Sequence, residues 1–145
     1  VETGNDALDT ILTEKGLICE RESITFTCIA DGSALGFLKP SEIYSLFGNA
    51  LDNAIEASRD VGDLALRTIS LTVREAIGMV SIHIENRFAG TVRFVDGMPI
   101  TSKEDKVNHG FGTKSMEMVV EHHGGTLTME AQGDLFCLDA LIPLP

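Results

Sequence analysis

The region 40–59 carries four polar side chains at spacings of three and four residues, opposite an apolar stripe. They fall within about a quarter-turn of one another in a helical projection and are Asn49, Asp52, Asn53 and Glu56. Asn and Asp are poor residues for a helix interior because they compete for backbone hydrogen bonds. Amide and carboxylate oxygens at this spacing suit a hydrated divalent cation. A solvated helix face is the alternative interpretation.

A second candidate site is the sequence Gly110-Phe111-Gly112, which we expect to close an irregular segment and open a helix. Glycines at such a junction let backbone N–H groups approach an anion at the positive end of the helix dipole. Residues 87–114 carry five bases against three acids, whereas the other residues carry six bases and nineteen acids. This positive segment on an acidic chain favours a small anionic ligand, although glycines also punctuate ordinary junctions.

Asn86 is the third candidate, because it ends a strand and lies in phase with the apolar residues Val80, Ile82 and Ile84. A polar side chain at the inward end of a strand needs a hydrogen-bond partner. The residues alone leave open whether that partner is structural or belongs to a ligand.

The elements that must position these residues follow from hydrophobic periodicity. The pattern predicts a helix over 5–22 with Thr3 or Asn5 as its N-cap, and a helix over 40–59 with Pro40 in its first turn. A third helix is expected from about Gly112 to a stop at Gly124-Gly125. Alternating residues predict five strands, of which the second and third form a hairpin; they span 24–30, 69–73, 80–84, 126–131 and 135–143.

This order of elements predicts an α+β fold, a two-layer sandwich with a mixed or antiparallel sheet and helices on one face. Residues 87–108 show no sustained period and are predicted to form a long loop, which in a compact domain is usually functional or disordered. The 145 residues, 43% of them hydrophobic and 23% charged, fit one soluble domain spanning 1–145.

Several classes of protein are disfavoured by composition. A net charge of −11 argues against nucleic acid as a partner, and no apolar run approaches the roughly 20 residues that cross a bilayer. Three cysteines, none in a CxxC, favour reduced thiols over a redox or zinc role. Because the chain begins without methionine, we expect it to be a piece of a longer protein.

Taken together, two motifs resemble those of a known family. Residues 49–57 (NALDNAIEA) look like the N box of the GHKL superfamily, the ATPases of gyrase, heat-shock chaperone, histidine kinase and mismatch-repair type. Residues 109–115 (HGFGTKS) are similar to the last glycine box of that family. The likeness covers nearly the whole chain and is closest to sensor histidine kinases of the quorum-sensing and peptide-sensing branch. It implies a Bergerat-type ATP-binding fold, with three helices on one face and residues 87–109 as a nucleotide lid.

The resemblance also implies roles in binding ATP and Mg²⁺. Asn53 would hold Mg²⁺ against the phosphates, Asn49 would line the phosphate end, and Lys103 or His109 on the lid would reach the phosphates. The backbone of the glycine box would cradle them, through Gly110, Phe111, Gly112 and Thr113, the last of which replaces a commoner leucine.

Asn86 stands where most of the family has an aspartate that accepts a hydrogen bond from the adenine amino group. The glycines that usually follow that aspartate are largely missing, since Arg87-Phe88-Ala89 precedes Gly90.

The hydrolysing branches of the family have a glutamate at the position of Asn49, and an amide cannot take a proton from water. The resemblance therefore implies slow hydrolysis and phosphoryl transfer to a histidine on a separate dimerisation domain, then to a response regulator. None of the histidines of this chain (His83, His109, His122 and His123) sits in the family's acceptor motif, and no catalytic residue is assigned. The chain would be a cytoplasmic domain, joined to the membrane only through other parts of an anchored sensor. The alternatives are an anti-sigma-type serine kinase and a degenerate interaction module that binds no nucleotide.

Overall fold

The computed structural model describes residues 2–95, 97–100 and 105–145, without the side chains of 95, 100 and 105–111. Its main sheet has five strands in the spatial order β1-β2-β3-β7-β6. Their bounds are β1 Thr25–Ala30, β2 Thr68–Ala76, β3 Met79–Arg87, β6 Thr126–Gln132 and β7 Leu135–Pro143. Only β1 and β2 are parallel, so the sheet is mixed and mostly antiparallel, as predicted.

The alternation of side chains decides which face of the sheet is covered. Ile69, Leu71 and Val73 of β2 are each 1% exposed, whereas Thr68, Ser70 and Thr72 are half-buried. The same alternation holds along β3 and β7, so one face carries the apolar residues and packs against the helices. This confirms the predicted two-layer α+β sandwich.

Three helical bodies cover that face. Helix α1 (Asp6–Arg21) begins at Asn5, whose Oδ1 accepts the Leu8 N–H at 3.1 Å and so selects Asn5 rather than Thr3 as the N-cap. A second body runs without a break through α2 (Pro40–Ile43), one π-helical turn (Tyr44–Gly48) and α3 (Asn49–Arg59). The third is α4 (Asp105–His122).

The sequence pattern did not predict the π-helical turn, because one wider turn barely changes the spacing of the apolar residues. It lies directly before Asn49, whose Nδ2 donates to the Ser45 carbonyl at 2.6 Å. Single π turns inside α-helices are frequent at functional sites. Here the side-chain bond anchors the Asn49 amide at the start of α3.

The prediction of a long loop over 87–108 is wrong in two places. Helix α4 (Asp105–His122) already includes Asp105, so Gly110 and Gly112 lie inside a helix rather than opening one. The helix accepts them at a cost of about 1 kcal/mol each, because tertiary packing outweighs propensity. A hairpin of β4 (Arg93–Val95) and β5 (Met98–Ile100) also lies in this region. Its strands are too short to show a period, and Gly97 (φ +78°) at the turn was the missed signal.

In the described part of the chain, no helix combines the length and the apolar character needed to cross a membrane.

Candidate functional site

A cavity of about 490 Å³ lies between α3, the inner face of the sheet and the segment that follows β3. Apolar side chains of β3, β6 and β7 form its floor, namely Ile84, Met129 and Leu138. Polar groups stand around it, namely Asn53, Glu56, Arg59, Asp60, Asn86 and Thr113. An apolar cavity with a few converging polar groups is the usual form of a small-molecule site.

Asn86 places a polar amide beside the apolar part of this cavity. Its side chain is 3% exposed, between Ile69 of β2 and Phe136 of β7 in the sheet register. The Nδ2 atom donates to the Arg87 carbonyl at 3.0 Å, and no donor among the described residues contacts Oδ1. A buried acceptor without a partner costs about 1–3 kcal/mol. The cavity therefore offers a fixed acceptor to a ligand that donates a hydrogen bond.

A second cavity, of about 270 Å³, lies at the other side of the polar face of α3. Asn53, Glu56 and Arg59 line both cavities, whereas Asn49, Asp52 and Gly112 line only this one. The two cavities thus meet along these three residues, of which Asn53 is half-buried and the other two are exposed. The apolar residues between these polar positions are buried in the core, which fixes the polar face toward the cavities: Ala50, Leu51, Ala54 and Ile55.

Gly112 of α4 approaches α3 closely at this second cavity. A Cβ atom placed on Gly112 would lie 3.2 Å from Asn49 Oδ1, closer than ordinary van der Waals contact. Asn49 cannot move freely away, because its Nδ2 is held by the Ser45 carbonyl. The position thus suits glycine because two helices meet there, although the sequence suggested a loop–helix junction.

The structure brings together five of the nine site residues predicted from the sequence: Asn49, Asn53, Asn86, Gly112 and Thr113. Thr113 is 7% exposed and lines the larger cavity. Lys103 lies outside the described residues. The backbones of His109, Gly110 and Phe111 belong to α4, and their side chains lie outside the description.

Sequence reasoning missed Lys15 of α1 as the ion-pair partner of Asp52, which lines the smaller cavity. Its Nζ lies 2.7 Å from Asp52 Oδ1, and its side chain is only 13% exposed. Burial lowers the pKa of Lys15, but the hydrogen bond and charge of Asp52 and the charge of Glu14 outweigh it, so the pKa is raised. The available signal was a lysine in phase with Leu8, Ile11 and Leu12 of the apolar stripe.

Arg59 was missed as well, although it lines both cavities. Its Nε donates to Glu22 Oε2 at 2.8 Å, which draws the last turn of α3 toward the end of α1. The acidic polar face of α3 is therefore flanked by two cations, Lys15 and Arg59.

The hairpin β4–β5 contributes to the wall opposite α3. Val92 and Pro99 line the larger cavity, and the ring of Phe94 stacks on Phe136 of β7 with centroids 6.3 Å apart and planes at 9°. The Phe88 N–H donates to the Asp134 carbonyl at 3.0 Å, and Arg87 forms an ion pair with the Asp134 carboxylate. These contacts join the segment after β3 to the β6–β7 turn.

Solved structures of histidine kinases share this fold. The nucleotide-free catalytic domain of histidine kinase ThkA aligns with a TM-score of 0.64 at 18% identity, covering 95% of this chain and 90% of that one. Another crystal form of the same domain gives a TM-score of 0.67 at 17% identity, covering 97% and 94%. Histidine kinase AdeS of Acinetobacter baumannii aligns with a TM-score of 0.64 at 13% identity, covering 95% of this chain and 63% of that one.

At these identities the structures establish the fold alone, and a search of the curated proteins finds no match for the chain. The family comes from a profile described as a GHKL domain, which matches residues 38–143. The match runs from the residue before Lys39 to the last strand and includes every described residue that lines the larger cavity. The chain therefore belongs to the GHKL domain family.

Proposed function

We propose that this chain is the ATP-binding catalytic domain of a sensor histidine kinase, a single domain over residues 1–145 with 87–109 as its nucleotide lid. The observation that carries the proposal is the buried Oδ1 of Asn86, an acceptor without a partner among the described residues, in a 490 Å³ cavity beside the N-box helix. The adenine amino group is a donor of the kind this acceptor needs.

The larger cavity would take the adenine and the smaller one the phosphates. Asn53 lies where the two cavities meet, so an oxygen ligand for Mg²⁺ at that position would reach the phosphates from the base pocket. Bound Mg²⁺ would neutralise part of the phosphate charge. Asn49 and the glycine-box residues Gly110, Phe111, Gly112 and Thr113 are proposed phosphate contacts, together with Lys103 or His109.

The charge around the smaller cavity supports a requirement for a divalent cation. Asp52 and Glu56 line it, and carboxylates repel phosphate oxygens unless a cation lies between them. Lys15 offsets part of that charge through its ion pair with Asp52. We expect nucleotide without a divalent cation to bind much more weakly than the magnesium complex.

The phosphoryl acceptor is proposed to lie on a separate dimerisation domain of the same kinase, which then passes the group to a response regulator. Asn49 occupies the position of a base in the hydrolysing branches, and its amide cannot take a proton. Among the histidines with described side chains, none lines either cavity. His83 is bonded to Asp139 and Glu85 on the other face of the sheet, and His122 and His123 lie at the far end of α4. The parent would be a membrane-anchored sensor with this domain on the cytoplasmic side.

The test is phosphoryl transfer with labelled Mg-ATP. The chain alone should bind nucleotide, hydrolyse it slowly and retain no acid-labile phosphohistidine. Adding the helical acceptor domain of the parent should place label on that domain, and the Asn53→Ala variant should remove most of it.

Three results would contradict the proposal. Stoichiometric label on His109, His122 or His123 of the isolated chain would show that the acceptor is here. Rapid steady hydrolysis would move the protein toward the ATPase branches. Failure to bind any nucleotide in a direct titration would support the interaction module.

A further inference from the structure

Three side chains with metal-binding atoms converge at the end of α4 that lies away from the cavities. Glu42 of α2 meets His122, the last residue of α4, and His123, which follows it. One ligand atom of each residue lies within 4.8 Å of the others, and Glu42 Oε2 is 2.8 Å from His123 Nε2. Neither cavity is lined by any of these three residues.

The end of α4 explains how two adjacent histidines reach one point. Neighbouring residues inside a helix diverge by about 100°. Here Gly124 adopts φ +75°, and its N–H bonds to the Glu121 carbonyl at 2.9 Å while the Gly125 N–H bonds to the Val120 carbonyl at 2.9 Å. This Schellman turn places His123 at the C-cap. The two imidazole rings then lie with centroids 5.0 Å apart.

The Glu42 carboxylate is already oriented toward the histidines. Its Oε1 accepts the Lys39 N–H at 2.9 Å at the start of α2, which leaves Oε2 to face His123. Desolvation raises the pKa of Glu42, but the hydrogen bonds from Lys39 and His123 outweigh it, so the pKa is lowered. The His123 ring also packs edge-on against Phe37, with centroids 5.4 Å apart. Such supporting contacts are typical of metal ligands.

We propose that Glu42, His122 and His123 form a transition-metal site, best suited to Zn²⁺, that joins α2 to the C-terminal end of α4. Two imidazole nitrogens and one carboxylate oxygen are a common three-ligand set for zinc and leave a fourth position for water. Mg²⁺ and Ca²⁺ prefer sets of oxygen ligands, so they fit this site poorly. The negative end of the α4 dipole adds attraction for a cation.

The binding test uses the untagged, metal-free chain titrated with Zn²⁺ in competition with a chromophoric chelator. We expect one equivalent to bind, and Co²⁺ to give the visible absorption of a four-coordinate site. Glu42→Gln keeps an amide oxygen for the Lys39 N–H but removes the charged ligand, and His122→Ala removes an exposed ligand. Each should weaken zinc binding by about tenfold or more.

The control is His83→Asn, which removes a histidine that also lies between two carboxylates, Asp139 and Glu85. This variant should bind zinc as the parent does, and zinc should raise the melting temperature of both by more than that of Glu42→Gln. The proposal is wrong if the parent shows no saturable binding, or if His122→Ala binds zinc equally well. It is equally wrong if His83→Asn abolishes binding. Because His122 is exposed, His122→Ala is decisive even if Glu42→Gln fails to fold.

Discussion

Asn86 and His83 lie three positions apart on β3 and face opposite sides of the sheet. Asn86 on the covered face is 3% exposed, and its Oδ1 has no donor among the described residues. On the other face, the two ring nitrogens of His83 lie 2.6 Å from Asp139 Oδ1 and 3.0 Å from Glu85 Oε1. The Asn86 oxygen therefore lies in a cavity without a described donor, whereas both ring nitrogens of His83 are bonded to carboxylates. The comparison teaches that the buried Asn86 oxygen is left available to a ligand, whereas the His83 ring is already bonded within the protein.

That contrast predicts separable effects of substitution. Changes on the cavity side should alter nucleotide affinity with little effect on unfolding, and changes around His83 should alter unfolding with no effect on affinity. Substitutions at four positions test the two halves of this statement, namely Asn53, Asn86, Gly112 and His83.

The largest effect is expected for Asn53→Ala, which removes the oxygen at the junction of the two cavities. A hydrogen bond or ligand contact to a charged group contributes about 1.5–3 kcal/mol, so Mg-ATP should bind roughly tenfold to a hundredfold more weakly in calorimetric titrations. The free energy of unfolding should change by less than about 0.5 kcal/mol.

Asn5→Ala is the matched control for this substitution. It removes the N-cap of α1, which typically costs about 1 kcal/mol, and should leave Mg-ATP affinity unchanged. Equal affinity of Asn53→Ala and the parent would remove Asn53 from the site.

Base selectivity should depend on Asn86, with a preference for ATP over GTP of about tenfold, the worth of one hydrogen bond. Because Nδ2 is bonded to the Arg87 carbonyl, flipping the amide to suit the guanine carbonyl would break that bond. Asn86→Asp offers only acceptors to the base and should sharpen the preference in competitive titrations. Asn86→Ala should abolish the preference. If neither substitution changes the preference for ATP over GTP, the base does not bind at Asn86.

A smaller, few-fold loss of affinity is expected for Gly112→Ala. The new methyl group would press on Asn49 Oδ1 at the smaller cavity, whereas a Cβ on Gly16 of α1 meets nothing within 4 Å. Alanine is favoured over glycine in a helix by about 1 kcal/mol. Gly16→Ala should therefore raise the free energy of unfolding by that amount without changing affinity. An affinity of Gly112→Ala equal to that of the parent would show that the space at this helix contact is unimportant.

The smallest effect is expected for His83 on the other face of the sheet, and it concerns the pH dependence of stability. Burial lowers the pKa of His83, but its hydrogen bonds to Asp139 and Glu85 outweigh this, so the pKa is raised above the usual value near 6.5. The resulting stabilisation is fully present below the unfolded-state pKa and is lost as the pH rises through the folded-state pKa.

Denaturant unfolding from about pH 6 to about pH 9 checks this sign. The parent should lose more stability than His83→Gln over that range, by less than about 1 kcal/mol because the site is partly solvated. Mg-ATP affinity should be the same in both proteins at each pH. A dependence on pH that survives in His83→Gln would assign it to other groups.

Prediction from sequence succeeded where the signal is local. Alternation over 69–73 and 80–84 predicted β2 and β3, because residues on one face of a strand repeat every second position. The polar face of α3 was predicted for the same reason, with a period of 3.6. The hairpin β4–β5 and the start of α4 at Asp105 were missed, because short strands and glycine-containing helices show little periodicity.

The sequence by itself determined the family and the α+β class, because these depend on residue type and near spacing. Only the tertiary structure decided that β1 pairs in parallel with β2 and that Lys15 lies on Asp52. It also decided that the Asn86 oxygen lies in a cavity with no donor among the described residues, and that Glu42 meets His123 from 81 positions away. Contacts between distant segments follow from how helices and sheet pack around a shared core, which no local period encodes.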